Sequence, residues 1–250
     1  MRLLRSALLL ACLSSLPASA AEVRVLSPGV VFNAGLLDLA TEFTAKTGVK
    51  VLVLPDLMGR IQKDTSTRTP APDLVVLPMD MMGTAALNGD IDAQTFTPLG
   101  RVEIGLAVKT GAPHPDISTV DRLAAALKGA QEVVYSNPAD GMSMEAGIIA
   151  SLLKRPEFAG VHAAVSTRGE GGQALARGQG DMALQLICEI YPYPQISLVG
   201  PLPPELGAHI DSAIAVTSRA ADHADAEAFI RYITRPEAIS VWKRKGLDRF

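Results

Sequence analysis

Residues 21–55 read AEVRVLSPGVVFNAGLLDLATEFTAKTGVKVLVLP, and this stretch decides the fold. Val23–Leu26 is a short apolar run, followed by a Ser27-Pro28-Gly29 turn. A helical pattern comes next, with Leu36, Ala40, Phe43 and Thr47 spaced i, i+4, i+7 and i+11. Asn33 is placed to cap its start and Gly48 to stop it. Val49–Leu54 is a second apolar run that closes a βαβ unit. Parallel strands put the first βα turn at the carboxyl edge of the sheet, where open α/β folds bind ligands.

The alternation continues along the chain. Asp73–Leu77, Val102–Val108, Glu132–Tyr135, Val161–Val165, Met182–Ile187 and Asp211–Val216 read as strands. Ser118-Thr119-Val120-Asp121 is a capping-box signature before a helix with Leu123, Ala124 and Leu127 on one face. Ser143 starts a helix carrying Ile149, Leu152 and Leu153, and a short helix is expected around Gln173–Arg177. Two closing helices are expected, Asp225–Ile233 and one running from Thr234-Arg235-Pro236-Glu237 to Gly246. Strands and helices alternating over the whole length mean α/β with mixed, mostly parallel sheets. Thr97–Gly100 and the proline-rich Val199–Pro204 look like crossings, which predicts two lobes: 21–100 with 205–250, and 101–204.

Arg2 and Arg5 precede an apolar stretch, Leu3–Leu16, and Ala18-Ser19-Ala20 supplies a small-residue cleavage site. Residues 1–20 are therefore read as a cleavable export signal. Leu10-Ala11-Cys12 offers a rival lipoprotein signal with a short apolar core. Removing that segment leaves Cys188 alone, so the fold rests on its core rather than on an internal disulfide. The formal net charge is −3. No basic stripe with interleaved aromatics appears, which argues against nucleic acid as a partner.

Four stretches carry a family resemblance: FTAKTGVKV (43–51), APDLVVLPMDMM (71–82), VEIGLAVK (102–109) and AFIRYITRPEAISVWKRKGLD (228–248). Through them the chain resembles the type 2 periplasmic solute-binding proteins, in the group similar to the molybdate-binding proteins of ABC transporters. The resemblance implies two α/β lobes around a ligand cleft, a hinge, a periplasmic location, an inner-membrane permease as partner, a monomer, and no cofactor. The cleft of such a fold is lined by βα turns and helix starts, whose free N–H groups hold anions. Here the candidates are Ser27, Gly29 and Val30; Asp56, Met58 and Arg60; Asn137, Asp140 and Ser143; and Arg168 with Gln185, in a fourth segment that also includes Glu170 and Glu189. Each turn also reads as an ordinary loop, since glycine, proline, asparagine and aspartate are what loops use. Arg60 and Arg168 are the cations able to grip a carboxylate in two places, or else are solvated charges.

Departures from the molybdate pattern point to an organic solute. The serine of the first turn is matched by Val30, the serine-rich second turn by Pro55-Asp56-Leu57-Met58, and the tyrosine of the fourth segment by an aliphatic near Leu186 or Ile187. Met58, Met79, Met81, Met82, Met142 and Met144 read as an adaptable apolar wall rather than a thioether metal site. No nucleophile elbow, zinc-binding helix or phosphate loop is present. The resembling group includes an exported isomerase acting on aconitate, which keeps an enzymatic alternative open with Asp56, Asp80, Asp140 or Glu189 as base.

Overall fold

The structure, a computed structural model, describes residues 22–140 and 143–250. The export segment with its cleavage site, and Gly141-Met142 of the third turn, lie outside the described residues. Strand β1 (Glu22–Pro28) leads into a helical turn α1 (Gly29–Val31), a wider π-turn Phe32–Leu36, and α2 (Leu37–Thr47). Helical structure therefore begins at Gly29, and Asn33 lies inside the π-turn instead of capping a helix. The cause is Gly35, whose φ of 126° kinks the path between the two helical pieces. A side chain there would be strained, and its Cβ would sit 3.4 Å from Trp242 Cε3. Gly48 ends α2 in the left-handed region as expected, with its N–H on the Thr44 carbonyl at 2.9 Å.

Strand β2 (Lys50–Asp56) pairs parallel with β1, from Glu22 opposite Lys50 to Pro28 opposite Asp56. That register sets the two strand ends side by side. After α3 (Met58–Thr67), the wholly buried β3 (Leu74–Pro78) joins the other edge of β1, and α4 (Met79–Leu87) follows. The chain then enters the long strand β4 (Thr97–Lys109). Next come α5 (Val120–Gly129), β5 (Val133–Tyr135), α6 (Met144–Leu152), β6 (Ala163–Val165) and α7 (Gly171–Ala176). They are followed by β7 (Met182–Leu186), α8 (Ile187–Ile190), β8 (Ile196–Pro201) and β9 (His209–Val216). α9 (His223–Thr234), α10 (Ile239–Arg244) and β10 (Leu247–Asp248) close the chain.

The sheet is mixed. Strands β2, β1 and β3 are parallel at one end, and β7, β5 and β6 are parallel at the other. Between them stand the antiparallel β9 and β4. Thr97–Glu103 of β4 pair with β9, while Ile104–Lys109 pair with β7 and β8, so one strand serves both halves. Two helix starts differ from the sequence reading by local chemistry. Thr119, not Ser118, caps α5, accepting the Arg122 N–H at 3.3 Å. Thr234 finishes α9, its hydroxyl donating to the Ile230 carbonyl at 2.8 Å, and Pro236 opens the next turn because it has no N–H to satisfy.

The largest apolar cluster runs through Leu99, Val102, Ile104 and Leu106 of β4 into both halves and is sealed at one end by Trp242. The Trp242 indole is fully buried and donates to the Ile233 carbonyl at 2.8 Å. Among the described residues no helix is long and apolar enough to cross a membrane. Gly100 sits at an irregularity in the β4–β9 pairing, where a Cβ would lie 2.2 Å from the Asp248 carbonyl oxygen. Backbone cannot yield there as a flexible side chain would. Gly100→Ala is expected to cost about 1–3 kcal/mol in urea unfolding; an unchanged midpoint contradicts the close approach.

Candidate functional site

The register of β1 with β2, and of β5 with β6, brings four segments of chain to one place. A cavity of about 360 Å³ opens there, lined by Gly29, Pro55, Asp56 and Leu57 from one half and Ser136, Asn137, Ser143, Gly169 and Glu170 from the other. An adjoining recess of about 60 Å³ shares Gly29, Asp56, Ser143 and Glu170 and adds Val30, Met58, Glu145, Leu186 and Glu189 among others. A third space of about 360 Å³ shares Met144 and Ile210 with that recess and reaches Pro78, Met79, Asp80 and His209. Met58, Met79 and Met81 pack half-buried against apolar neighbours, as a deformable wall would. Among the described residues no group of three His, Cys, Asp or Glu side chains is arranged to hold a metal.

Helix starts dominate the lining. α1 begins at Gly29, α3 at Met58, α6 at Met144 and α7 at Gly171, and no side chain caps any of the four. The two α-helices that do carry a side-chain cap, α5 on Thr119 and α9 on Asp222, start outside these cavities. Capping satisfies orphan N–H groups and stabilises a helix by roughly 1 kcal/mol. Helices α2, α4, α8 and α10 also start without a side-chain cap, so what sets α3 and α6 apart is that their free N–H groups, and the positive end of the helix dipole, meet the cavities. Among the described residues lining the first cavity and its recess none is Lys, Arg or His, so the donors that face an anion there are backbone N–H groups and hydroxyl or amide side chains.

Four carboxyls face this space. Asp56 accepts the Leu57 N–H at 2.8 Å and pairs with Arg68 at 3.3 Å. Glu145 Oε1 lies 2.9 Å from Ser136 Oγ and accepts from Gln185 Nε2 at 3.0 Å. The same Gln185 amide donates to Glu189 Oε2, and the Gly171 N–H donates to Ser136 Oγ at 3.2 Å. Glu170 has no hydrogen bond or ion pair to its carboxyl among the described residues. Burial raises the Glu145 carboxyl above its usual range, and burial with the neighbouring Glu170 and Glu145 charges raises Glu189 well above it. Glu170 is pushed up to about 7, first by burial and then by the charge of Glu145. Among the described residues no cation pairs with Glu145, Glu170 or Glu189, so burial favours their protonated forms.

The residues singled out from sequence fall in four groups. Gly29, Val30, Asp56, Met58, Asn137 and Ser143 line the two connected cavities. Ser27 is fully buried, its hydroxyl on the Pro28 carbonyl at 3.1 Å, and Gln185 is buried behind the lining as the link between Glu145 and Glu189. Asp140 ends the Pro138–Asp140 turn. Arg60 and Arg168 are exposed and line neither cavity, with Arg60 4.0 Å from Asp56. Sequence reasoning missed Ser136 and Glu145 and did not single out Glu170. Glu145 had a signal: with Ile149 and Leu152 it falls at i, i+4 and i+7 on the buried stripe of α6.

The chain matches the model of the family described as bacterial extracellular solute-binding protein over residues 23–248. It is 26% identical over 244 residues to an aconitate isomerase of Pseudomonas sp, covering 94% of this chain and 92% of that protein. Among solved structures it is similar to the substrate-binding domain of a molybdenum ABC transporter described as putative, from Clostridium difficile, with a TM-score of 0.76 and 11% identity over 92% of this chain and 99% of that one. It is also similar to Peb3 of Campylobacter jejuni with L-phospholactate bound, with a TM-score of 0.63 and 20% identity over 91% and 100% of the two chains. The fold is the two-lobe type 2 periplasmic binding fold.

Protonated carboxyls leave a mark on stability. A group with a pKa of about 7 in the folded chain, against an ordinary 4.5, binds more protons folded than unfolded between those values. Stability therefore falls as pH rises through that window. Glu170→Gln removes the titration without removing a hydrogen bond, so its thermal midpoint should decline less than wild type between pH 5 and 8.5. Parallel curves for the two proteins would contradict the shift.

Proposed function

Because the chain belongs to the bacterial extracellular solute-binding proteins, we propose that it captures a small organic carboxylate between its lobes and delivers it to a membrane permease. One observation carries this reading: the helix starts at Gly29, Met58 and Met144 are uncapped, and all three line the cavities. Carboxylate oxygens accept from such N–H groups without a charged partner, and the dipole favours their charge. The neutral forms of Glu145 and Glu170 lower the repulsion an anion would meet, and Arg68 offsets Asp56. In this reading the segments 22–100 with 205–250 form one lobe and 101–204 the other, and they close over the ligand about β4 and the return from β8 to β9. The apolar wall of Met58, Met79 and Met144 suits a carbon skeleton better than a bare oxyanion. An export signal in residues 1–20 is consistent with a family that works outside the cytoplasm.

A second reading has its own support. The likeness to an aconitate isomerase spans nearly the whole chain, and a carboxyl with a pKa of about 7 lines the cavity, as proton transfer at neutral pH needs. Following the absorbance of cis- and trans-aconitate with purified protein separates the two, since absence of turnover leaves capture alone.

The helix-start reading makes a sharp prediction. A Cβ on Gly29 meets nothing within 4 Å, so a side chain there is tolerated. Gly29→Asp adds a negative charge at a helix start, which helps the helix by about 0.3–1 kcal/mol while occupying the anion's place. Calorimetry with trans-aconitate, citrate and molybdate should show binding of an organic acid by wild type. The variant should lose at least about tenfold in affinity, a cost of some 1.4 kcal/mol, with an unchanged or raised melting temperature. Full affinity in the variant places the ligand elsewhere.

A further inference from the structure

Among the described residues, each carboxyl facing the connected cavities is committed to a partner except one. Asp56 is held by the Leu57 N–H and Arg68, and Glu145 and Glu189 share the Gln185 amide. Glu170, at the start of α7, lines both the main cavity and its recess, yet nothing among the described residues engages its carboxyl. A free acid in a ligand cavity, standing beside a cluster that holds protons, is a group placed to exchange a proton with whatever binds.

We propose that Glu170 is the catalytic acid–base of an allylic isomerisation, carrying one proton between the two terminal carbons of a propene polycarboxylate. The inference rests on the second reading above and assigns its central residue. The saturated carbon of such a substrate is both allylic and next to a carboxylate, so its C–H bond is the weak acid in the molecule. Glu170 as carboxylate takes that proton. The electron pair spreads over the three-carbon unit and its carboxylates. Glu170, now a carboxylic acid, returns the proton to the other terminal carbon, forming a new C–H bond as the double bond shifts. One hydrogen has changed carbon, nothing is oxidised or reduced, and a skeleton symmetric about its central carbon emerges as itself or as its geometric isomer. The uncapped starts of α3 and α6 face the same cavities and would stabilise charge spreading onto the substrate's carboxylates.

The surroundings suit the task. Glu145 from α6 and Glu189 from α8 face Glu170, and Asp56 faces it from the end of β2. Cys188 and Tyr193 lie within its electrostatic reach. Burial keeps Glu145 and Glu189 inclined to the neutral acid, so they add little charge to a site that must pass through a carbanion. Glu170, at about 7, is present in both protonation states at neutral pH.

The test uses the full protein with trans-aconitate in D₂O, followed by proton NMR for deuterium incorporation and isomer ratio. Wild type is expected to isomerise the substrate. Glu170→Gln should fall at least about 100-fold in kcat while its Kd for the substrate, by calorimetry, stays within about threefold. Glu170→Asp should keep part of the rate. Turnover by wild type with Glu170→Gln within tenfold overturns the assignment but leaves an isomerase with another base. Absence of any turnover by wild type overturns the catalytic reading and this inference together. Should Glu170→Gln fail to fold, the wild-type pH profile decides: kcat/KM rising through an inflection near 7 supports a carboxylate base, and a flat profile contradicts it.

Discussion

Strand β4 holds the molecule to its shape. Its residues 97–103 belong to the ladder with β9, and residues 104–109 to ladders with β7 and β8, so the two halves share one backbone. Neither half can turn far without bending a strand whose middle, Val102 to Leu106, is buried in the common core. Gly100 and Gly105 answer this crowding. At the first, a side chain would enter the Asp248 carbonyl; at the second, Leu198 and the Gly200 carbonyl stand within 3 Å of any Cβ. Because β4 fixes where the halves meet, the carboxyl ends of β1 and β2 confront those of β5 and β7 across one space. The cavity follows from strand pairing before any ligand is considered.

In the proposed reading, what the space binds follows from the backbone N–H groups that helix starts present to it. Among the described α-helices the chain caps α5 with Thr119 and α9 with Asp222, and α2, α4, α8 and α10 start without a side-chain cap. The starts at Gly29, Met58 and Met144 lack one too, and the residues before them are Pro28, Leu57 and a Ser143 whose hydroxyl makes no cap bond. Carboxyls in the same lining would oppose an anion if ionised. Arg68 offsets Asp56, and burial raises Glu145 and Glu189 toward their neutral forms, with no cation beside them among the described residues. In the proposed reading an anion site and an acid cluster coexist, with backbone N–H groups as donors and burial disfavouring charge on Glu145, Glu170 and Glu189.

Much of the architecture was legible in the residues, for reasons that vary with position. The apolar runs of β1, β2 and β3 and the stop at Gly48 are local signals, and they describe the observed unit. The start of the first helix was not legible, because the π-turn around Gly35 depends on packing against Trp242, some two hundred residues away. Gly29, Asp56, Asn137 and Ser143 share a lining because turns at strand ends are placed by topology. The arginines show the limit: a guanidinium in a turn tells nothing about which way it points, and Arg60 and Arg168 point outward. Glu145 stood in plain view on an apolar stripe, whereas Glu170 acquires its character only from Glu145 and the walls around it.

The central claim is that uncapped helix starts from both lobes hold one anion between them. The most direct measurement is a crystal structure of the protein with trans-aconitate, refined far enough to place each carboxylate oxygen. The account predicts oxygens within hydrogen-bond distance of backbone N–H groups at the starts of α1 and α3 on one side and α6 on the other. A ligand held by Arg60, Arg168 or another exposed cation, or seated outside the cavity joining Gly29 to Glu170, would contradict it.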